Sequence, residues 1–226
     1  MVGKNKQMLY TPFMATTIEE IKAYVIKCLS TTKGSHAWDH TLRVYKLCMH
    51  IGEKEGVDLE VLKIACYLHD IARPYQDMSR GKVCHAEKGA EIAQDILKDY
   101  PISEKKKANI IHCIRSHRFR GSCRPATLEA KVLFDADKLD AIGAIGVARA
   151  FLFAGEVGAR LHNCTPDIEN TEPYTIEDTA YREFVLKLSR IKDSLLTKEG
   201  LKLAEKRHEF MEEFFKRFLL EHEGIK

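Results

Sequence analysis

Residues 131–151 read KVLFDADKLDAIGAIGVARAF. Val132, Leu133, Leu139, Ile142, Ile145 and Val147 point in nearly every direction around a helical wheel, so the stretch predicts a buried helix inside a longer one spanning 127–154. Such a helix should not carry Asp135, Asp137 and Asp140 without reason. A buried carboxylate is costly unless it is paired or bound to a metal. Exposure at a helix end explains one of the three, but not easily all of them.

The helical period recurs along the chain. Ile18, Ile21, Val25 and Cys28–Leu29 form a stripe that Thr17 and Glu20 open as a capping box. Val44, Leu47, Cys48 and Ile51 form a second stripe. Asp58 is placed to cap a third with Leu59, Leu62, Ala65 and Leu68. Ala86, Gly89, Ala90, Ala93 and Leu97 mark a fourth that stops before Pro101. Ser103 opens a fifth with Ile110, Ile111 and Ile114, and Thr175 with Asp178 a further one carrying Tyr181, Phe184, Val185 and Leu188. The last runs from Thr197 to about Glu221, and its Phe210, Phe214, Phe215 and Phe218 read as core or as a homodimer face. Breaks fall at 31–36, 73–84, 117–126 and 155–174, and no stretch alternates as a strand would. The chain therefore reads as all-α, one helical domain over 1–226 with a C-terminal helical part at 175–222.

Among 226 residues, 36 basic and 33 acidic side chains leave a net charge of +3, which gives no footing for specific nucleic-acid binding. A 45% hydrophobic fraction supports a sizeable core, but no apolar run reaches membrane-span length and no signal peptide is evident. Seven cysteines, odd in number and without a CxxC pair, speak against a disulfide framework and for a reducing, cytoplasmic setting. P-loop, dinucleotide-binding and nucleophile-elbow glycine motifs are absent.

Four residues then stand out. His40 shares the buried stripe of Val44 and Leu47, where a histidine is either a satisfied core residue or a ligand. His69 and Asp70 end the apolar run ACYLHD, and Asp137 lies in the buried helix. Two imidazoles and two carboxylates suit a borderline divalent cation such as manganese, iron or zinc.

Their contexts, DHTLRV around His40, LHDIARP around His69–Asp70 and DADKLDAIG around Asp137, occur in the order H…HD…D. This resembles the HD-domain superfamily of metal-dependent phosphohydrolases, most closely the small bacterial members, over about 35–153. The resemblance implies a multi-helix HD bundle with extra C-terminal helices. It implies His40, His69, Asp70 and Asp137 as ligands of a divalent metal, manganese first, with iron, magnesium, cobalt, nickel or zinc as alternatives. His85 in HAEKGAEIA and His117 in IRSH match contexts in which some members hold a second metal; otherwise His85 caps its helix and His117 lies in a solvated loop.

The implied chemistry is hydrolysis of a small phosphate ester, a nucleotide first of all, with some members releasing pyrophosphate from nucleoside triphosphates. Asp70, His117 and Lys138 are the expected catalytic groups. His36, Arg73, His112, Arg115 and Lys138 are expected to meet substrate, with Arg118, Arg120 and Arg124 as further cations. His36 reads equally as an ordinary residue at a helix start, and Arg43 as a helix-surface residue. The alternative to an enzyme is a nucleotide-binding regulatory module in which the metal is structural.

Overall fold

The computed structural model describes residues 12–29, 38–79, 81–118, 123–163 and 167–225. Its helices are α1 (Pro12–Leu29), α2 (Trp38–Glu55), α3 (Leu59–Leu68), α4 (Arg73–Met78), α5 (His85–Leu97), α6 (Glu104–Ser116), α7 (Leu128–Asp140), α8 (Gly143–Glu156), α9 (Ala180–Leu186) and α10 (Lys198–His222). No strand occurs among the described residues, as the periodicity predicts. His36, Arg120, Cys164 and the break at 31–36 lie outside the described residues.

Several helix ends follow directly from local chemistry. The Asp58 carboxylate accepts from the amides of Glu60 and Val61, at 3.0 and 3.3 Å, and starts α3. Ser103 caps α6 through the Lys106 amide, and Thr197 caps α10 through the Gly200 amide. Other boundaries differ from the sequence reading. α1 begins at Pro12, whose fixed φ and missing N–H suit a first helical position, so Thr17 lies inside the helix rather than at its start. Residues 73–78 form α4 where a break is expected, because Pro74 sits in the first turn, where proline is tolerated. The helix expected from Thr175 starts instead at Ala180, capped by the Thr179 hydroxyl on the Arg182 amide.

The long helix expected over 127–154 is two helices. Gly143 adopts φ 77°, a left-handed conformation that other residues resist, and the chain turns there between α7 and α8. The turn is packed tightly: a Cβ on Gly143 would lie 2.9 Å from Cγ of Arg207 on α10.

The core explains the arrangement of layers. α2, α3, α6 and α7 pack on one another, and α5 lies on α6. α7 is the central element: Ala130, Val132, Leu133, Phe134, Ala136 and Leu139 are buried, together with Asp135, Lys138 and Asp140. The C-terminal part packs α8 against α9 and α10, and α10 also reaches α7. There Phe215 is fully buried, with its ring 4.5 Å from Phe184 and 6.3 Å from Phe151, so the aromatic stripe is core at this position. Phe210, five residues earlier, is exposed. Cys48, Cys66 and Cys113 are buried free thiols, and Cys28 is partly buried. No described helix is long and apolar enough to cross a membrane.

Candidate metal centre

The bundle brings one end of each of α2, α3, α5, α6 and α7 to a common point. His40 stands in the first turn of α2, His69 and Asp70 at the end of α3, His85 at the first position of α5 and His117 at the C-terminal cap of α6. Asp137 and Lys138 come from the last turn of α7. All but Asp137 are buried, and Asp137 keeps 19% of its side chain exposed.

The imidazoles are held from behind. His69 Nδ1 donates to the Cys66 carbonyl and His117 Nδ1 to the Ile114 carbonyl, each at 2.6 Å and each three residues back in its own helix. A carbonyl only accepts, so both rings must carry the hydrogen on Nδ1 and turn Nε2 inward. The bond also satisfies a last-turn carbonyl that the helix leaves without an amide donor. His85 Nδ1 lies 2.7 Å from Gln76 Oε1, an atom that also accepts from the His85 amide. His40 Nδ1 lies 2.7 Å from Asp140 Oδ2.

The four Nε2 atoms then meet in pairs, His40 with His69 at 3.4 Å and His85 with His117 at 3.0 Å. Asp137 Oδ1 lies 3.3 Å from His40 Nε2. Asp70 straddles the pairs, with Oδ2 3.6 Å from His40 Nε2 and 3.8 Å from His69 Nε2. Its other oxygen, Oδ1, is 3.4 Å from His85 Nε2 and 3.7 Å from His117 Nε2. Two groups, His40–His69–Asp137 and Asp70–His85–His117, each gather their ligand atoms within 4.8 Å. Inward imidazole nitrogens facing each other at such distances, beside carboxylate oxygens, suit a shared divalent cation.

Electrostatics agree with that donor set. Burial favours neutral imidazole and lowers His69 to about 4 and His85 to about 3. Burial also opposes charge on His40, but hydrogen bonds to Asp137 and Asp140 outweigh it and raise its pKa. Although burial would raise Asp70, the histidines around it and Arg73 hold its carboxyl well below the usual range. Lys138 and His40 do the same for Asp137. Neutral His69 and His85 and ionised Asp70 and Asp137 are the forms that bind metal, whereas at His40 a bound metal must displace the proton that the carboxylates favour.

The other expected site residues divide. Lys138 is in the site: its Nζ donates to Asp137 Oδ2 at 2.6 Å and to the His117 carbonyl at 3.0 Å, with the Phe134 ring beneath it. Arg73 lies near enough to lower Asp70, and its Nε is 3.7 Å from Asp77. His112 is not brought in. Its Nε2 accepts from the Ala126 amide at 2.9 Å and its Nδ1 faces Cys123, so the ring serves the loop after α6. Arg115 pairs with Glu87 across the partly exposed α5–α6 face, at 3.3 Å. Arg118 donates to Cys84 Sγ, and Arg124 is exposed. The reading of His117 as a residue of a solvated loop is wrong, since it is 1% exposed.

Sequence reasoning missed Gln76, which lies in the unexpected α4, and Arg43, which points at Asp140. The three acids of α7 have three fates. Asp137 faces the cluster and Asp140 backs His40. Asp135 accepts from the amides of Leu196 and Thr197 and from the Thr197 hydroxyl, tying the start of α10 to α7. Burial pushes its carboxyl up to about 6 in spite of those donors.

A family model for the HD domain matches residues 37–142, a span that holds the whole cluster, and the chain belongs to the HD-domain superfamily of hydrolases. YpgQ of Bacillus subtilis is 35% identical over 212 residues, covering 92% of this chain and 94% of YpgQ. The crystal structure of YpgQ in complex with ADP matches with a TM-score of 0.70 at 32% identity, over 92% of this chain and 100% of that one. An HD-superfamily hydrolase from Bacillus thuringiensis matches with a TM-score of 0.71 at 28% identity, over 93% of this chain and 98% of the other.

Proposed function

We propose that this protein is a metal-dependent phosphohydrolase acting on a nucleotide, with pyrophosphate release from nucleoside triphosphates as its reaction. The observation that carries the reading is the meeting of four inward Nε2 atoms and two carboxylates at the ends of five helices. The YpgQ complex with ADP supports a nucleotide as the ligand.

His40, His69, Asp137 and Asp70 Oδ2 would hold one manganese ion, and His85, His117 and Asp70 Oδ1 a second. When bound, such ions polarise phosphoryl oxygens and water and offset negative charge. The chain's own groups complete the chemistry. Asp70 bridges the two sets and orients an attacking water through a carboxylate oxygen. Lys138, already 2.6 Å from Asp137, swings its ammonium onto a phosphoryl oxygen as negative charge builds there. Arg73 adds a guanidinium on the α4 side. His117 serves as second-set ligand; with one metal, its Nε2 instead faces the leaving oxygen, and only a ring protonated on both nitrogens would give that oxygen a proton.

Metal-stripped protein reloaded with manganese and offered nucleoside triphosphates, diphosphates and monophosphates, with products resolved by chromatography, tests the reading. Triphosphates should yield monophosphate and pyrophosphate. Orthophosphate release would correct the bond cleaved. Tight metal and nucleotide binding without turnover on any member of the panel would replace the enzyme with a regulatory module.

A further inference from the structure

Three of the four imidazoles are backed by neutral acceptors: two backbone carbonyls and a glutamine amide. Only His40 is backed by a carboxylate, and that carboxylate is held with unusual care. Asp140 is 1% exposed. Arg43 on α2 donates to it twice, from Nε to Oδ1 at 2.7 Å and from Nη2 to Oδ2 at 3.0 Å. Arg149 on α8 donates from Nη1 to Oδ2 at 2.9 Å and to the Asp140 carbonyl at 3.1 Å. Two guanidiniums on one buried carboxylate more than compensate its charge, so it stays ionised and fixed in orientation.

Arg149 lies beyond residue 142, where the match to the HD-domain model ends. Arg207 of α10 donates to the carbonyl of Leu139, the residue before Asp140. The C-terminal helices therefore grip the segment that backs a cluster histidine.

We propose that Asp140 is a positioning residue of the metal centre: clamped by Arg43 and Arg149, it fixes the tautomer and the ring plane of His40 so that Nε2 is presented to the ion. The proposal rests on the reading of the cluster as a metal site. A carboxylate behind a histidine ligand orients the ring and strengthens it as a donor, and its removal typically weakens metal binding by about 10- to 100-fold. A bulk structural role would look different. Asp135 shows it: on the same helix and equally buried, it touches none of the cluster histidines and anchors only the turn before α10.

Manganese titration calorimetry on metal-stripped protein, run beside thermal melting of the same samples, separates the cases. Asp140→Asn keeps the shape but not the charge and should weaken manganese binding by about 10- to 100-fold. Asp135→Asn should lower the melting temperature of the metal-free protein and leave manganese affinity within about twofold, because no ligand rests on it. Wild-type affinity in Asp140→Asn, or an equal loss in both variants, overturns the proposal. Should Asp140→Asn fail to fold, Arg149→Met removes one clamp and leaves the carboxylate. It should weaken binding by a smaller factor, and unchanged affinity would overturn the clamp. Asp137→Ala is the control for the underlying reading. If it binds manganese like wild type, the metal centre itself is misassigned; if only Asp140→Asn does, the positioning role alone fails.

Discussion

Asp70→Ala should cut phosphohydrolase activity by a factor of about 10²–10³ while leaving the helical circular dichroism intact. This is the expected size when an electrostatic group acting on the reacting atoms is lost. The reason lies in the straddle: each Asp70 oxygen faces a different pair of imidazoles, so one truncation removes a carboxylate oxygen from beside both pairs at once. It also leaves four Nε2 atoms facing one another with one fewer counter-charge. The fold itself should survive. α3 ends just before Asp70, and its buried Leu62, Ile64 and Leu68 hold it to α2, α6 and α7 without help from the carboxylate. Asp137→Ala should behave alike. Activity within a few-fold of wild type in either variant, measured by nucleotide turnover with manganese, would exclude this cluster from catalysis.

His117→Ala should reduce turnover by about 10²-fold, within the usual range for a positioned acid–base group. The side chain has one function in either metal count, as ligand or as donor to substrate. It contributes little to the helix beyond its bond to the Ile114 carbonyl. His222 supplies the comparison. It is 38% exposed at the end of α10 and touches His162 and Glu223, far along the chain from every cluster residue. His222→Ala should leave steady-state turnover unchanged. Equal effects from the two substitutions would return His117 to a purely structural role.

Much of this arrangement was legible in the sequence because the signals were periodic or chemical. Three acids in the apolar helix at 131–151 required a reason, and each has one. What spacing could not say was which acid does what. Residues two and five apart fall on different sides of a helix, and the neighbour on each side is set by tertiary packing. Arg43 illustrates the same limit. It lies one turn after His40, and that i, i+3 pairing was the available clue to a shared partner, but the partner is Asp140, 97 residues away. α4 was hidden by the sequence Arg73–Pro74, which reads as a break until the proline is placed in a first turn. The division of α7 from α8 was hidden for the opposite reason, since the apolar run continues through it and only the left-handed Gly143 marks the turn. His112, next to Cys113, was expected to meet substrate, yet tertiary packing sends its ring to the Ala126 amide in the loop after α6.

The two groups of side chains are expected to hold divalent cations. Crystals of the protein grown with manganese, with anomalous difference density collected at the manganese edge, would show this. A peak should lie about 2.0–2.3 Å from His40 Nε2, His69 Nε2, Asp70 and Asp137. If the His85–His117 pair is also filled, a second peak should lie about 3.5–4 Å from the first. A map with His40, His69, Asp70 and Asp137 ordered as described, and no anomalous density among them at saturating manganese, would contradict this expectation.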